Sequence, residues 1–264
     1  AVQLKELNEE RKNMTQKGVE EALSLVEEQY ENDSVLVVYL PDCHESLAGI
    51  IAGRVREAWN RPSFVLTRSA EEADSQDGEE TVPMAKGSGR SIEAYHMYQG
   101  LCGVQDLLVK FGGHPMAAGF SLREADIEEF RRRLNEQADL KPEDFVRKIW
   151  IDVPMPLEYI SEGLIEELKQ LEPFGQGNEK PQFAQKNLLI RSSRVLGRNR
   201  NAVKLSLVTE QGYSMEGMLF TEGDRFMEEL GSQKHIDVIY YPDVNEYNGN
   251  RTLQIVIREY KLHP

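Results

Sequence analysis

Val35-Leu36-Val37-Val38-Tyr39-Leu40, the Pro41-Asp42 turn, Leu47-Ala48-Gly49-Ile50-Ile51-Ala52-Gly53-Arg54-Val55 and, after Arg61-Pro62, Ser63-Phe64-Val65-Leu66-Thr67 form the stretch on which the fold reading turns. The outer two segments are apolar runs of strand length, and the middle one carries the small residues that let a helix lie close on a sheet. Strand, helix, strand in that order predicts a crossover unit with parallel strands, hence an α/β domain.

Before this unit, Leu4 to Tyr30 is charged, with apolar residues at helical spacing (Leu4, Leu7, Val19, Leu23, Val26). It predicts a helix or helix pair that covers or connects something and is not a core element. After it, the acidic run Ala70 to Glu80 reads as a surface loop. Lys86-Gly87-Ser88-Gly89-Arg90-Ser91 and Lys110-Phe111-Gly112-Gly113-His114-Pro115 read as glycine-punctuated loops, with a helix over Tyr98 to Leu108 between them. Ala117 to Leu122 predicts a short strand and Ala125 to Gln137 a helix, and Leu140 to Asp144 has the character of a domain boundary.

The second half is strand-rich. A short helix over Leu157 to Leu171 precedes strands at 188–195, 202–209, 214–220, 236–241 and 252–260, with a helix over Glu222 to Glu229 and a hairpin signal at Asn248-Gly249-Asn250. Five strands and one helix are the content of an OB-type barrel, with a sandwich as the alternative.

A length of 264 residues favours two domains. The expected division is a linking helix over 1–34, an α/β domain over 35–142 and a barrel over 143–264. With 40% hydrophobic and 29% charged residues the chain has an ordinary globular composition. No apolar run approaches the ~20 residues of a membrane span and no signal pattern opens the chain, so a cytoplasmic protein is expected. Cys43 and Cys102 are too few for a disulfide framework and read as reduced thiols. The net charge of -14 repels phosphate unless positive charge is locally concentrated. It is concentrated between Lys180 and Lys204, where Lys180, Lys186, Arg191, Arg194, Arg198, Arg200 and Lys204 occur with no Asp or Glu. That run is either a solvated basic face or a track for a nucleic-acid backbone, with one or two of Phe183, Tyr213, Phe220, Tyr240, Tyr241 and Tyr247 exposed to stack on bases and the rest in the core.

In the first half, Lys86 to Ser91 offers glycine backbone N–H groups, the Ser88 and Ser91 hydroxyls and the bidentate donor Arg90, which suit a terminal phosphate or a phosphodiester; the alternative is a tight turn with a surface arginine. Gly112-Gly113-His114 lets backbone approach a ligand beside an imidazole that can donate to an anion, or else is a Gly-Gly turn with a capping histidine. His44 either donates to phosphate or caps the helix that follows. The five histidines lack the pairing of a zinc helix and no aspartates cluster, so neither a catalytic residue nor a metal or other cofactor is expected in this chain.

Taken together, the stretches His44 to Arg54, Lys86 to Ser91 and Phe111-Gly112-Gly113-His114-Pro115-Met116-Ala117-Ala118-Gly119 resemble the DHH-associated domain of RecJ exonucleases. Leu171-Glu172-Pro173-Phe174-Gly175-Gln176-Gly177-Asn178 and Asn245-Glu246-Tyr247-Asn248-Gly249 resemble the OB-type domain that follows it, and Leu7 to Arg11 is similar to the helix linking the catalytic DHH domain to its partner. The Pro-Phe-Gly-x-Gly-Asn run is the most specific of these, and Ser46 departs from the glycine usual after His-Glu.

The resemblance implies a mixed sheet with flanking helices followed by the barrel, and the C-terminal part of a 5′-to-3′ exonuclease acting on single-stranded DNA in repair and recombination. It implies Mg2+ or Mn2+ in the full-length enzyme, held by the DHH domain, which is expected to precede Ala1 and to be missing here, so this part binds and does not cleave alone. Ser88, Arg90 and His114 would line the substrate cleft, with Arg11 reaching the same pocket and Arg54 either joining it or pairing with an acidic neighbour. The implied partners are single-stranded DNA, the DHH domain and repair proteins. A stand-alone module binding nucleic acid or a repair protein, and a DHH-family phosphoesterase for small substrates, are the competing readings.

Overall fold

In the computed structural model the chain divides into two compact units, Ala1–Lys148 and Ile149–Pro264. Residues 2–69, 73–74, 81–175, 177–247 and 249–264 are described. Most of the expected loop over 70–80, together with Gln176 and Asn248 of the quoted motifs, lies outside them, as does the side chain of Tyr247.

The first unit opens with α1 (Val2–Leu25), extended by a π-helical turn to Tyr30. Then come β1 (Leu36–Tyr39), α2 (Ala48–Trp59), β2 (Ser63–Arg68), the short pair β3 (Ala73–Asp74) and β4 (Thr81–Val82), and β5 (Met84–Arg90). The unit continues with α3 (Met97–Cys102), β6 (Leu108–His114), β7 (Ala117–Arg123) and α4 (Ile127–Gln137). The sheet order is β1-β2-β5-β7-β6. β1 and β2 are parallel, as the crossover requires, and the other pairs are antiparallel.

Alternation along the strands sends their apolar residues to both faces. Leu36, Val38 and Val65 pack with Ala22, Val26, Ile51 and Val55 under α1 and α2. Val37, Phe64, Leu66 and Phe120 pack with Met97, Leu101, Phe130 and Leu134 under α3 and α4. The opening helix is therefore part of the core at its C-terminal end, contrary to expectation, because Ala22 and Val26 are fully buried, while Leu4 and Leu7 stay exposed. The helix expected over 98–108 is shorter: α3 ends at Cys102, with Gly103 capping it, and β6 begins at Leu108.

The two segments read as loops are strands. Residues 84–90 form the central strand β5, between β2 and β7, and 108–114 form the edge strand β6. Glycine and charge masked their alternation, and the packing shows why glycine stands there. A Cβ on Gly87 would lie 2.2 Å from Cζ of Phe120, and one on Gly89 would lie 2.7 Å from Sδ of Met97 and 2.8 Å from the Phe64 ring. The glycines make room for an aromatic cluster in which Phe120 stacks on Phe130 at 4.9 Å and meets Phe64 edge-on at 5.5 Å.

The second unit contains β8 (Val153–Pro154), α5 (Glu162–Lys169), β9 (Phe183–Leu196), β10 (Ala202–Val208), β11 (Ser214–Leu219), α6 (Gly223–Leu230), β12 (His235–Tyr247) and β13 (Asn250–His263). β9 pairs with both β10 and β12, and β11 pairs with β13 in parallel, so the ring β9-β10-β11-β13-β12 closes. Closure with the helix between the third and fourth strands makes this an OB-type barrel and removes the sandwich alternative. Its interior holds Leu188, Val203, Leu205, Leu207, Ile236, Val238, Ile255 and Ile257, with Phe226 of α6 and Ile165 of α5 packed into them. Tyr240 is fully buried and its hydroxyl donates to the Met155 carbonyl at 2.6 Å. Among the described residues no helix is long and apolar enough to cross a membrane.

Candidate functional site

Strand register builds the site in the first unit. Residues directly opposite in antiparallel strands share a face. On the α2 side of the sheet this gives three rows across β5, β7 and β6: Arg90, Ala117 and His114; Ser88, Gly119 and Gly112; Lys86, Ser121 and Lys110. That face is covered by α2 over β2 and β5, and a groove of 620 Å³ opens where the cover ends. Its lining includes Glu45, Ser46 and Ala48 on the helix side and Ser88, Lys110, Gly112 and Ser121 on the sheet. A volume in this range suits a ligand of nucleotide size.

The middle row is a floor of bare backbone. A Cβ on Gly112 would meet nothing within 4 Å, and one on Gly119 only the Gly87 carbonyl at 3.9 Å. Gly113, its neighbour on the other face, is there for packing: a Cβ would lie 2.5 Å from the Ala117 carbonyl oxygen. One wall is the start of α2, so close that a Cβ on Gly49 would lie 2.9 Å from an Arg90 guanidinium nitrogen and 3.1 Å from Ser88 Oγ. The Ser88 hydroxyl has no hydrogen-bond partner among the described residues, while Arg90 donates one bond to the Gly89 carbonyl at 2.8 Å and keeps its other donors. A free hydroxyl, a guanidinium and a helix N-terminus meeting at one point suit an anion, and His114 stands exposed in the Arg90 row. Across the groove Glu45 pairs with Lys86 at 3.2 Å.

The other residues singled out from the sequence lie elsewhere or are already engaged. Ser91 is buried and its hydroxyl donates to the Tyr95 carbonyl, which removes it from the groove. His44 caps the 3-10 turn before α2, its Nδ1 accepting from the Ser46 amide at 3.2 Å. Arg11 lines a second groove, between α1 and α2, together with Arg54, which is paired with Glu57 at 3.0 Å. Lys110, Ser121 and Gly119 were missed. Reading 108–114 and 117–123 as a hairpin closed at Pro115-Met116 would have set them beside Ser88 and Lys86.

On the barrel, Arg194 and Lys204 face each other on β9 and β10, on the side opposite the buried Val203 and Leu205. Arg191, Arg194 and Arg198 are exposed and have no ion pair or hydrogen bond to the described residues. Arg200 is bidentate to Asp224 and holds that carboxylate below its usual range, mainly by hydrogen bonding, and Lys204 pairs with Glu216. Of the six aromatics, Phe183 and Tyr240 are core, Tyr213 packs against the core, and Tyr241 lies under Lys180 and Arg258 at 3.5 and 4.9 Å. Phe220, just beyond β11, is 67% exposed. Among the described residues no group of three or more His, Cys, Asp or Glu could hold a metal ion.

Comparison with known proteins fits this architecture. The DHHA1 domain family matches residues 32–139 and the RecJ OB domain family residues 151–259. The chain is 32% identical over 261 residues to the single-stranded-DNA-specific exonuclease RecJ of Bacillus subtilis, covering 98% of this chain and 32% of that protein. It is 31% identical over 267 residues to RecJ of Escherichia coli, covering 97% of this chain and 44% of that protein. The chain thus spans from just under a third to less than half of the length of these curated relatives. Crystal structures of Thermus thermophilus RecJ in complex with Mn2+ and with Mg2+ superpose with TM-scores of 0.76 and 0.73 at 25% identity, covering 98% and 99% of this chain and 35% and 37% of theirs. Through both of its units, therefore, this chain belongs to the RecJ family, of which it carries the DHHA1 domain and the RecJ OB domain.

Proposed function

We propose that this chain is the strand-binding part of a RecJ-like 5′-to-3′ exonuclease specific for single-stranded DNA. The observation that carries the reading is the groove, whose bare glycine floor lets a sugar-phosphate backbone lie on the sheet beside Ser88, with Arg90 and His114 in the next row of the same face. Ser88 and Arg90 hold a phosphate against the start of α2, and Gly112 lets the strand approach in the row beside His114, whereas Gly113 faces the other way. On the barrel, Arg191 and Arg194 of the first barrel strand and Arg198 of the 1–2 loop track the backbone and Phe220, just beyond the third strand, stacks on a base; the 1–2 loop is one that OB barrels use for nucleic acid. Arg200 and Lys204 join that track only by exchanging their carboxylate partners for phosphate. Within the first unit, Arg11 in the groove between α1 and α2 and His44 before α2 are further contacts for the strand.

Among the described residues no group of three or more His, Cys, Asp or Glu could hold a metal ion, and no step of cleavage is assigned to them. In the full-length enzyme Mg2+ or Mn2+ bound in a DHH domain would serve hydrolysis, and this chain would position the strand. DNA repair and recombination in the cytoplasm, with repair proteins as partners, complete the reading.

Titration of the 264-residue chain with fluorescent single-stranded oligodeoxynucleotides tests it. Affinity should fall steeply with salt, fall further in Ser88→Ala and Arg90→Ala, and be weaker for duplex of the same length. Equal affinity for duplex, or none for single strands even in dilute buffer, would refute it. Binding of dinucleotides as tight as that of long strands would instead favour a small-substrate phosphoesterase.

A further inference from the structure

This face of the sheet carries cationic side chains in two rows, Arg90 beyond the groove at one end and Lys86 and Lys110 at the other, and the proposed function places a phosphate at the first. Four residues along a strand separate Arg90 from Lys86 on β5 and His114 from Lys110 on β6, about 13 Å at the rise of an extended chain. One phosphate cannot touch both ends, whereas a short oligonucleotide can. Between the ends lies the glycine floor, where no side chain would obstruct a sugar. At the far end Lys110 is exposed and has no ion pair or hydrogen bond among the described residues, and neither does the Ser121 hydroxyl opposite it. Lys86, by contrast, is paired with Glu45. Lys110 is therefore a cation at the groove that no carboxylate among the described residues neutralises.

We infer that Lys110 and Ser121 form a second phosphate subsite, so that the groove holds one phosphate at Ser88 and Arg90 and a further phosphate of the same strand, one or two linkages away, at Lys110. This rests on the reading of the groove as a nucleic-acid site and deepens it. The DHHA1 unit would then bind a length of strand rather than a terminal phosphate alone, with the strand running along β5 and β6. Lys110 is a positioning residue, since it touches a phosphate remote from the one at Arg90.

The experiment is calorimetric titration of the whole chain with thymidine 5′-monophosphate and with a 5′-phosphorylated thymidine trinucleotide, in wild type, Lys110→Ala, Lys110→Arg and Arg90→Ala. Lys110→Ala should weaken the trinucleotide by about two- to fivefold, the worth of an exposed ion pair, and the monophosphate by clearly less. The slope of log affinity against log salt for the trinucleotide should become shallower by about 0.7, and Lys110→Arg should restore both. Arg90→Ala should weaken both ligands. If Lys110→Ala weakens both ligands equally or neither, while Arg90→Ala still weakens both, the second subsite is refuted and the groove reading stands. If wild type binds neither ligand, or Arg90→Ala alters neither affinity, the groove reading falls and the subsite with it.

Discussion

Gly87 and Gly112 look alike in the sequence, each a glycine beside charged or polar neighbours, yet the structure assigns them opposite roles, and single methyl groups distinguish these roles. In Gly87→Ala the new Cβ lies 2.2 Å from Phe120 Cζ, with two more ring atoms within 2.7 Å. Phe120 cannot swing away, because it is 6% exposed and wedged between Phe130 at 4.9 Å and Phe64 at 5.5 Å. Overpacking of this kind costs about 1–3 kcal/mol. The reduced freedom of the unfolded chain returns about 0.4–1 kcal/mol, so a net loss of about 1–2 kcal/mol is expected. At about 2–4 °C per kcal/mol for a unit of this size, the midpoint should drop by several degrees.

Gly112→Ala meets nothing within 4 Å, and Gly112 is not among the residues of positive φ. Its stability should be unchanged or raised by about 0.4–1 kcal/mol, while the methyl group, standing on the groove floor, should weaken single-stranded DNA binding. The two tryptophans make the assay specific: Trp59 lies in α2 of the first unit and Trp150 in the second. In a Trp150→Phe background, thermal unfolding followed by Trp59 fluorescence reports the first unit alone. Equal midpoints for Gly87→Ala and wild type, or a loss of stability in Gly112→Ala as large as in Gly87→Ala, would refute the packing argument.

Two further outcomes follow from the charge arrangement. Asp224→Asn should strengthen single-stranded DNA binding by about twofold, since it frees Arg200 and removes a negative charge beside the basic loop, with stability within about 0.5 kcal/mol because the pair is more than half exposed; weaker binding in a salt titration would contradict this. Tyr39 donates to Glu124, which also pairs with Arg68 at 3.3 Å, and burial followed by that carboxylate pushes the phenol up from 10.0 to about 12. A raised acid favours the folded state while protonated, so its contribution is full below pH 10 and is lost as pH climbs from 10 to about 12. Thermal melts from pH 9 to 12 should therefore show a gentler alkaline decline for Tyr39→Phe than for wild type, and identical declines would exclude the coupling.

The division between what local pattern reveals and what packing decides runs through particular residues. Val35 to Leu40 and Ser63 to Thr67 announce buried strands because a run of β-branched and apolar side chains has few other uses, and the small-residue helix between them makes the parallel crossover legible. The alternating strands after Lys180 announce an all-β domain for the same reason, and only the closing pairs β9–β12 and β11–β13 make it a barrel and not a sandwich. Met84 to Arg90 and Leu108 to His114 hide their strands, since glycine is a turn residue by itself and only packing shows its place in a sheet, as where the Phe120 ring of β7 lies across Gly87.

The amino-acid order alone thus set an α/β domain before a strand-rich one and named Ser88, Arg90 and His114 as phosphate-competent groups, because donor chemistry belongs to the side chain wherever it sits. Only the tertiary structure decided that Ser91, an equally good donor in the chain, is spent on the Tyr95 carbonyl, and that Arg200 and Lys204 are held by Asp224 and Glu216. It alone brought Lys110 and Ser121 into the same groove as Ser88. Strand register sets which residues stand side by side, and register depends on pairing between segments far apart in the chain, which no local pattern contains.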